Sequence, residues 1–110
     1  MRIAIVGGLD RNARDLEAVA HAGGHELDTH TGVVAGRASS AHLRAMVARA
    51  DLVFILTDIN SHNGVQLAKR VARQHHRPLR ILRRLAPAHL AAYFPSGALG
   101  ADETQLQRAA

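Results

Sequence analysis

The sequence predicts an α/β fold: a single doubly wound parallel sheet of about four strands, flavodoxin- or Rossmann-like, with the strand order 2-1-3-4. Two observations predict it. Short apolar runs alternate along the chain with segments whose apolar residues recur at helical spacing, which gives a βαβαβαβα order. The length of 110 residues and the 47% hydrophobic content suit one domain with a substantial core.

The first strand is predicted from an apolar run, and the first helix from the capping and glycine residues at its ends. Residues 1–6 are rich in β-branched side chains and predict a buried strand. A helix is predicted over 13–22, with Asp10 or Asn12 available as its N-cap. The glycine pair 23–24 marks its end.

The second strand and helix carry weaker signals. Residues 25–29 alternate only partly, and a strand is predicted there because the α/β order requires one. Residues 31–38 are irregular and contain glycine. A helix is predicted over 41–49, with Ser39 or Ser40 as its cap.

The third strand has the strongest signal in the chain. Residues 52–56 are uninterrupted Leu-Val-Phe-Ile-Leu, as expected for a strand buried on both faces. A helix starting at residue 62 or 63 and ending at 74 follows, with Asn60 or Ser61 as its cap.

The last elements are short. Residues 79–82 predict the fourth strand, and Pro87 is typical of the first turn of a helix, predicted over 88–94. The remaining residues are small and polar. We therefore expect one α/β domain over 1–95, followed by a tail or short helix over 96–110.

Composition excludes several kinds of site. The chain has no cysteine, which rules out disulfides, thiolate zinc sites, iron–sulfur clusters and Cys-ligated haem. No segment approaches the ~18 apolar residues of a membrane span, and we expect a cytoplasmic protein. The formal net charge of +5 suits either a soluble basic protein or one with an anionic partner.

Two histidines lie where predicted strands end. His30 follows the second strand and His62 follows the third. Because ligands of open parallel sheets bind beyond the carboxyl ends of the strands, the two imidazoles are candidate ligands of a metal or a haem iron. Asp58 lies at the same edge, either orienting an imidazole or binding turn amides.

Other residues near this edge favour an anion. Gly7 and Gly8 open a strand-to-helix turn, where backbone and helix N-terminus suit a phosphate, and Arg11 is in reach. The turn matches neither the dinucleotide fingerprint nor the P-loop. Lys69, the single lysine, follows His62 by two helical turns.

A basic stretch begins in the second half of the helix predicted to end at 74, continues beyond it, and suggests nucleic-acid binding. No aromatic residues interleave it for base stacking, so the solvated end of a helix is an equally simple interpretation. Its members are Arg70, Arg73, His75, His76, Arg77, Arg80, Arg83 and Arg84.

Several of these features together resemble a known family. They are the glycine start with Arg11, the sequence His30-x-Gly32, Thr57-Asp58, Ser61-His62 with Lys69 seven residues later, and Pro78-Leu79-Arg80-Ile81-Leu82. In this set, which spans residues 1 to 85, the chain resembles the bacterial DUF2325 family, a small α/β domain of unknown function. The Ser-His pair and the lysine are its more specific parts.

The resemblance implies a cofactor, since some small members of this family bind b-type haem. It would make His30 and His62 an axial ligand or a distal group, with Gly7, Gly8, Arg11, Asp58, Ser61 and Lys69 around the cofactor. The chain departs from the family pattern at Asp28-Thr29-His30, where another histidine often precedes the last one. A bis-histidine arrangement through neighbouring residues is therefore not indicated.

Three functions remain as hypotheses. The first is a cytoplasmic haem b protein, expected as a homodimer because one small domain encloses haem poorly, that binds or activates oxygen or has a redox role. Whether it is an enzyme, as a haem-dependent oxidoreductase, stays open. The alternative is a non-enzymatic module that binds a phosphate-bearing ligand or nucleic acid. A divalent-metal hydrolase on His30, His62 and Asp58 comes last, because a third well-placed ligand is missing.

Overall fold

The computed structural model describes residues 1–8 and 10–94, without the side chains of Asp10 and Arg11. Four parallel strands form one sheet in the order β2-β1-β3-β4, so the predicted fold is confirmed. The strands are β1 (Arg2–Val6), β2 (Glu26–His30), β3 (Leu52–Leu56) and β4 (Leu79–Leu82). The helices are α1 (Asp10–Ala22), α2 (Arg37–Ala48), α3 (His62–Gln74) and α4 (Pro87–Leu90), and a 3-10 turn covers Ala91–Tyr93.

Helices cover both faces of the sheet. On one face α2 and α3 pack on alternate strand residues such as Val6 and Ile55. On the other, α1 and α4 pack on Ile5 and Phe54. All five residues of β3 are buried because both of its faces are covered, which explains its uninterrupted apolar sequence.

The second half of the chain follows the sequence prediction closely. β3 and β4 have the predicted bounds, and α3 runs from His62 to Gln74. Ser61 caps α3, its hydroxyl accepting a hydrogen bond from the Gly64 amide at 2.9 Å. The last predicted helix is shorter than expected, since α4 gives way to the 3-10 turn after Leu90.

The first half required corrections. α1 begins at Asp10, three residues before the predicted start, and β2 is shifted by one residue so that it includes His30. The predicted Ser39 or Ser40 cap is wrong. α2 starts at Arg37 after an extended Gly36, and the Ser39 hydroxyl instead donates back to the Val33 carbonyl at 2.5 Å.

The predicted boundary between a domain over 1–95 and a tail over 96–110 stays a prediction, because residues 95–110 lie outside the described part. In the part that is described, no helix is long and apolar enough to cross a membrane.

The ends of β1 and β3 are joined by one side chain. The Asn60 amide nitrogen donates to the Val6 carbonyl at 3.1 Å and to the Leu56 carbonyl at 2.8 Å. Its oxygen accepts from the Ser61 amide at 2.8 Å. The crevice between these two strands, where open parallel sheets commonly bind ligands, is therefore occupied by Asn60 itself.

Two glycines allow this packing. A Cβ at Gly32 would overlap the Asn60 side chain, and one at Gly64 would overlap the Gly32 carbonyl. The Ser61 hydroxyl also donates to the Gly32 carbonyl at 2.5 Å. We call Asn60, Ser61, Gly32 and Gly64 the strand-end junction.

We expect Gly64→Ala to lower the free energy of unfolding by at least about 2 kcal/mol, because the methyl group meets backbone atoms that cannot rotate away. The direction is informative, since Gly to Ala within a helix normally stabilises by roughly 0.5–1 kcal/mol. Urea denaturation measures the change. Gly36→Ala is the control: a Cβ there meets no atom within 4 Å, and we expect less than about 1 kcal/mol. Equal effects would contradict the role given to the junction.

Candidate functional site

A cleft of about 240 Å³ opens at the carboxyl edge of the sheet, on the face covered by α1. Its floor is aliphatic and its rim is polar and charged. Every strand contributes a residue or the loop that follows it. The lining residues are Ile5, Gly7, Gly8, Asn12, Ala13, Leu16, Thr29, His30, Thr31, Leu56, Asp58, Ile59, Arg83, Arg84 and Leu85.

The glycine pair lines the cleft but does not offer free donors. Gly7 and Gly8 have φ values of 104° and 90°, which explains why glycine is needed at both. The Gly7 amide donates to the His30 carbonyl at 2.7 Å and the Gly8 amide to the Ile59 carbonyl at 2.8 Å. The turn therefore fastens β1 to the loops after β2 and β3, and an anion would find these two amides occupied.

Helix α1 provides donors of another kind. Asn12 and Ala13, in its first turn, line the cleft. The first amides of a helix have no acceptor within the helix, and its N-terminus carries a partial positive charge. Arg11 lies in the same turn, with its side chain outside the described part of the structure. This end of α1 favours a negatively charged ligand group.

Two arginines directly after β4 complete the rim. Arg84 forms an ion pair with Asp58, 3.6 Å between Nη2 and Oδ2, with side-chain exposures of 75% and 40%. The Asp58 amide donates to the Arg83 carbonyl at 2.8 Å, which fixes the loop after β3 against the end of β4. The exposed Arg83 side chain makes no hydrogen bond or ion pair within the described residues. Both guanidinium groups are thus available to an anion from solvent.

His30 lies against the cleft with both ring nitrogens occupied. Its Nδ1 accepts from the Gly32 amide at 2.9 Å, and its Nε2 is 3.1 Å from the Ser39 carbonyl. These partners require the neutral tautomer that carries hydrogen on Nε2. Burial lowers the pKa of His30 below its ordinary value of 6.5; the bond to Ser39 opposes this, and the neighbouring His42 adds to it.

Among the predicted site residues whose side chains the structure describes, three are not part of the cleft lining. His62 is exposed at the first position of α3, and Lys69 is half-buried further along that helix. Ser61 is used as the α3 cap and in the strand-end junction. The structure therefore brings Gly7, Gly8, Asp58 and His30 together, while His62, Ser61 and Lys69 line no part of that cleft.

These residues do not fit a haem held within one chain. The cleft is smaller than typical ligand pockets of roughly 300–1,000 Å³. The nitrogens of His30 have backbone partners, and His62 is not at the cleft. Within the described residues, no group of three or more His, Cys, Asp or Glu side chains could hold a metal ion.

Sequence reasoning missed the place of Arg83 and Arg84 in the site. They were assigned to a basic stretch instead. The signal was available, because both follow a predicted strand directly and the carboxyl ends of parallel strands meet at one edge. The aliphatic floor was harder to predict, since Leu16 and Leu85 come from separate elements that meet only through packing.

Comparisons with known proteins identify a family but no characterised relative. A family model described as "Uncharacterized protein conserved in bacteria (DUF2325)" matches residues 2–93. No curated protein matches the chain. No solved structure matches it either.

We expect stability to fall as the pH drops through 6.5. Because burial lowers the pKa of His30 in the folded state, the unfolded chain binds a proton first, so this part of the stability is complete above pH 6.5 and is lost below it. The pKa of His25 is lowered too, by burial and the N-terminal amine, and adds the same dependence. His30→Asn, which keeps an acceptor for Gly32, should reduce the slope in urea unfolding series from pH 7.5 to 5.

The control for this series is His62→Gln, at an exposed histidine. It removes an imidazole and leaves the contacts of His30 in place. A His30→Asn curve parallel to that of the unmodified protein would show that the His30 ring does not carry the effect.

Proposed function

We propose a function for this chain, which belongs to the DUF2325 family of uncharacterised bacterial proteins. From the geometry of the cleft, it is a non-enzymatic module that binds a small phosphate-bearing ligand. The observation that carries the proposal is the convergence of Arg83, Arg84 and the N-terminus of α1 on one cleft. Guanidinium groups and a helix N-terminus both favour anions, and here they come from distant parts of the sequence.

The binding mode follows from which groups are available. The Arg83 side chain makes no hydrogen bond or ion pair within the described residues, and the Arg84–Asp58 pair is exposed, so the pair holds Arg84 only weakly. Guanidinium groups bind phosphate oxygens through two parallel hydrogen bonds, which adds orientation to charge. The first amides of α1 supply further donors. The occupied amides of Gly7 and Gly8 shape the turn and take no direct part.

Non-enzymatic binding is favoured by the state of His30. It is the imidazole that lines the cleft, and its lone pair is already used by the Gly32 amide. A general base needs a free lone pair within reach of the substrate proton. In this arrangement His30 instead holds the loop after β2 that forms one wall of the cleft.

Haem b binding through His30 or His62 stays a proposal with less geometric support, as do the associated oxygen chemistry, the homodimer and the cytoplasmic location. It requires His30 to give up a backbone partner, and haem to be enclosed by more than the cleft of one chain. Nucleic-acid binding through the basic stretch has a different difficulty. Tyr93 and Phe94 are half-buried and Phe54 is fully buried, so the described residues offer no exposed aromatic ring for stacking.

We expect Arg83→Gln/Arg84→Gln to weaken binding of inorganic phosphate about tenfold or more, since two charge-assisted contacts are lost. Amide chemical shifts followed by NMR during phosphate titration at low salt measure the affinity, with the largest shifts expected at residues 10–13 and 83–85. Arg70→Gln/Arg73→Gln, on the exposed surface of α3, removes the same charge away from the cleft. Equal losses in both variants would mean non-specific attraction and overturn the proposal.

A hemin titration separates the haem hypothesis from the phosphate hypothesis. The cleft geometry leads us to expect a broad absorption change that does not saturate at fixed stoichiometry, and that persists in a His30→Ala/His62→Ala variant. A sharp Soret band that saturates, and is lost in that variant, would establish a histidine-ligated haem and overturn our preference.

A further inference from the structure

The floor of the cleft is apolar, and each of its four residues is at most 6% exposed. Ile5, Leu16, Leu56 and Leu85 line it from the sheet, α1 and the segment after β4. Ile59 also lines the cleft. It is a large hydrophobic residue, yet 44% of it is exposed. Inorganic phosphate alone would leave Ile59 in contact with water. A ligand that covers it gains from the area removed from water.

The charges on the lining side chains limit the charge of the ligand. Two arginines and the carboxylate of Asp58 leave one net positive charge on the rim. A phosphate that engages Arg84 also takes it from Asp58, whose negative charge then lies beside the ligand. A phosphomonoester carries about 1.5 to 2 negative charges at pH 7. Further phosphates would add repulsion from Asp58 without another described cation on the lining.

The volume of the cleft also indicates a small ligand. About 240 Å³ holds a small ligand, below the roughly 300–1,000 Å³ typical of drug-sized ones. The space suits one ring or a short hydrocarbon group with its anionic group at the rim.

We infer that the cleft selects a phosphomonoester attached to a small apolar body, with the phosphate at Arg83 and Arg84 and the apolar body on the aliphatic floor. This inference rests on the proposed phosphate-binding function and adds the chemical class of the ligand. Ile59 is then a specificity-determining residue, because it contacts the apolar part of the ligand and not the phosphate.

The test compares phenyl phosphate with inorganic phosphate by NMR titration of the full chain. We expect phenyl phosphate to bind at least about tenfold more tightly, a gain consistent with burying one ring on an apolar floor. AMP and ATP form a second pair, in which ATP should bind no more tightly than AMP. Equal affinity of phenyl phosphate and phosphate, or a tenfold preference for ATP, would overturn the inference.

Matched variants locate the effect. Ile59→Ser should lower the affinity for phenyl phosphate about threefold or more and leave that for inorganic phosphate unchanged. Ile81→Ser, at a residue 49% exposed on β4 and not among those lining the cleft, should change neither. An unchanged affinity for phenyl phosphate in Ile59→Ser would place its ring elsewhere and overturn the inference.

The two proposals fail in different ways. If phosphate and phenyl phosphate bind with the same affinity and Arg83→Gln/Arg84→Gln weakens both, the phosphate site stands and the apolar selectivity is wrong. If neither compound shifts residues 10–13 and 83–85, both the proposed function and this inference are overturned.

Discussion

The site depends on how the Asn60 side chain joins the ends of β1 and β3. By donating to the Val6 and Leu56 carbonyls it ties the ends of two adjacent strands together. It also fills the crevice between those strands, which is the usual ligand position in this architecture. Space for a ligand remains on the α1 face, where small residues meet an aliphatic floor. One half-buried amide thus occupies the strand-end crevice, and the cleft lies beside it on the α1 face.

The same packing explains why the two histidines at the sheet edge have different environments. β2 ends in His30, whose ring is buried between the Gly32 amide and the start of α2. His62 comes one residue after the α3 cap, on the exposed side of the strand-end junction. Both histidines follow strands at the carboxyl edge of the sheet, but β1 lies between β2 and β3. The loop between β3 and α3 turns at Asn60 and Ser61, and α3 begins directly after this turn, at His62.

An element could be predicted where its cause lies in the local sequence, and not where its cause is a contact made only in the folded chain. β3 was predictable because burial on both faces imposes a continuous apolar run, and the Ser61 cap because its hydroxyl acts three residues away. The local pattern wrongly predicted Ser39 as the cap of α2. The helix begins two residues earlier, at Arg37, and the Ser39 hydroxyl donates to the Val33 carbonyl. The roles of His30 and Gly8 could not be predicted, because both depend on backbone partners that only the folded chain supplies. The strand ends predict the position of the cleft and the place of Arg83 and Arg84, whereas the leucines of its floor meet only through packing.

The rim arginines lie in a short segment between β4 and α4, outside the hydrogen-bonded ladder of the sheet. Substitutions of Arg83 and Arg84 leave the core clusters and the junction untouched, whereas changes at Gly7 or Gly64 disturb backbone packing. The charge of the rim can therefore change between related chains while the interior stays constant. The floor differs, because Ile5, Leu16, Leu56 and Leu85 belong to the core cluster on the α1 face, so a change of its shape is also a change in the packing of the fold.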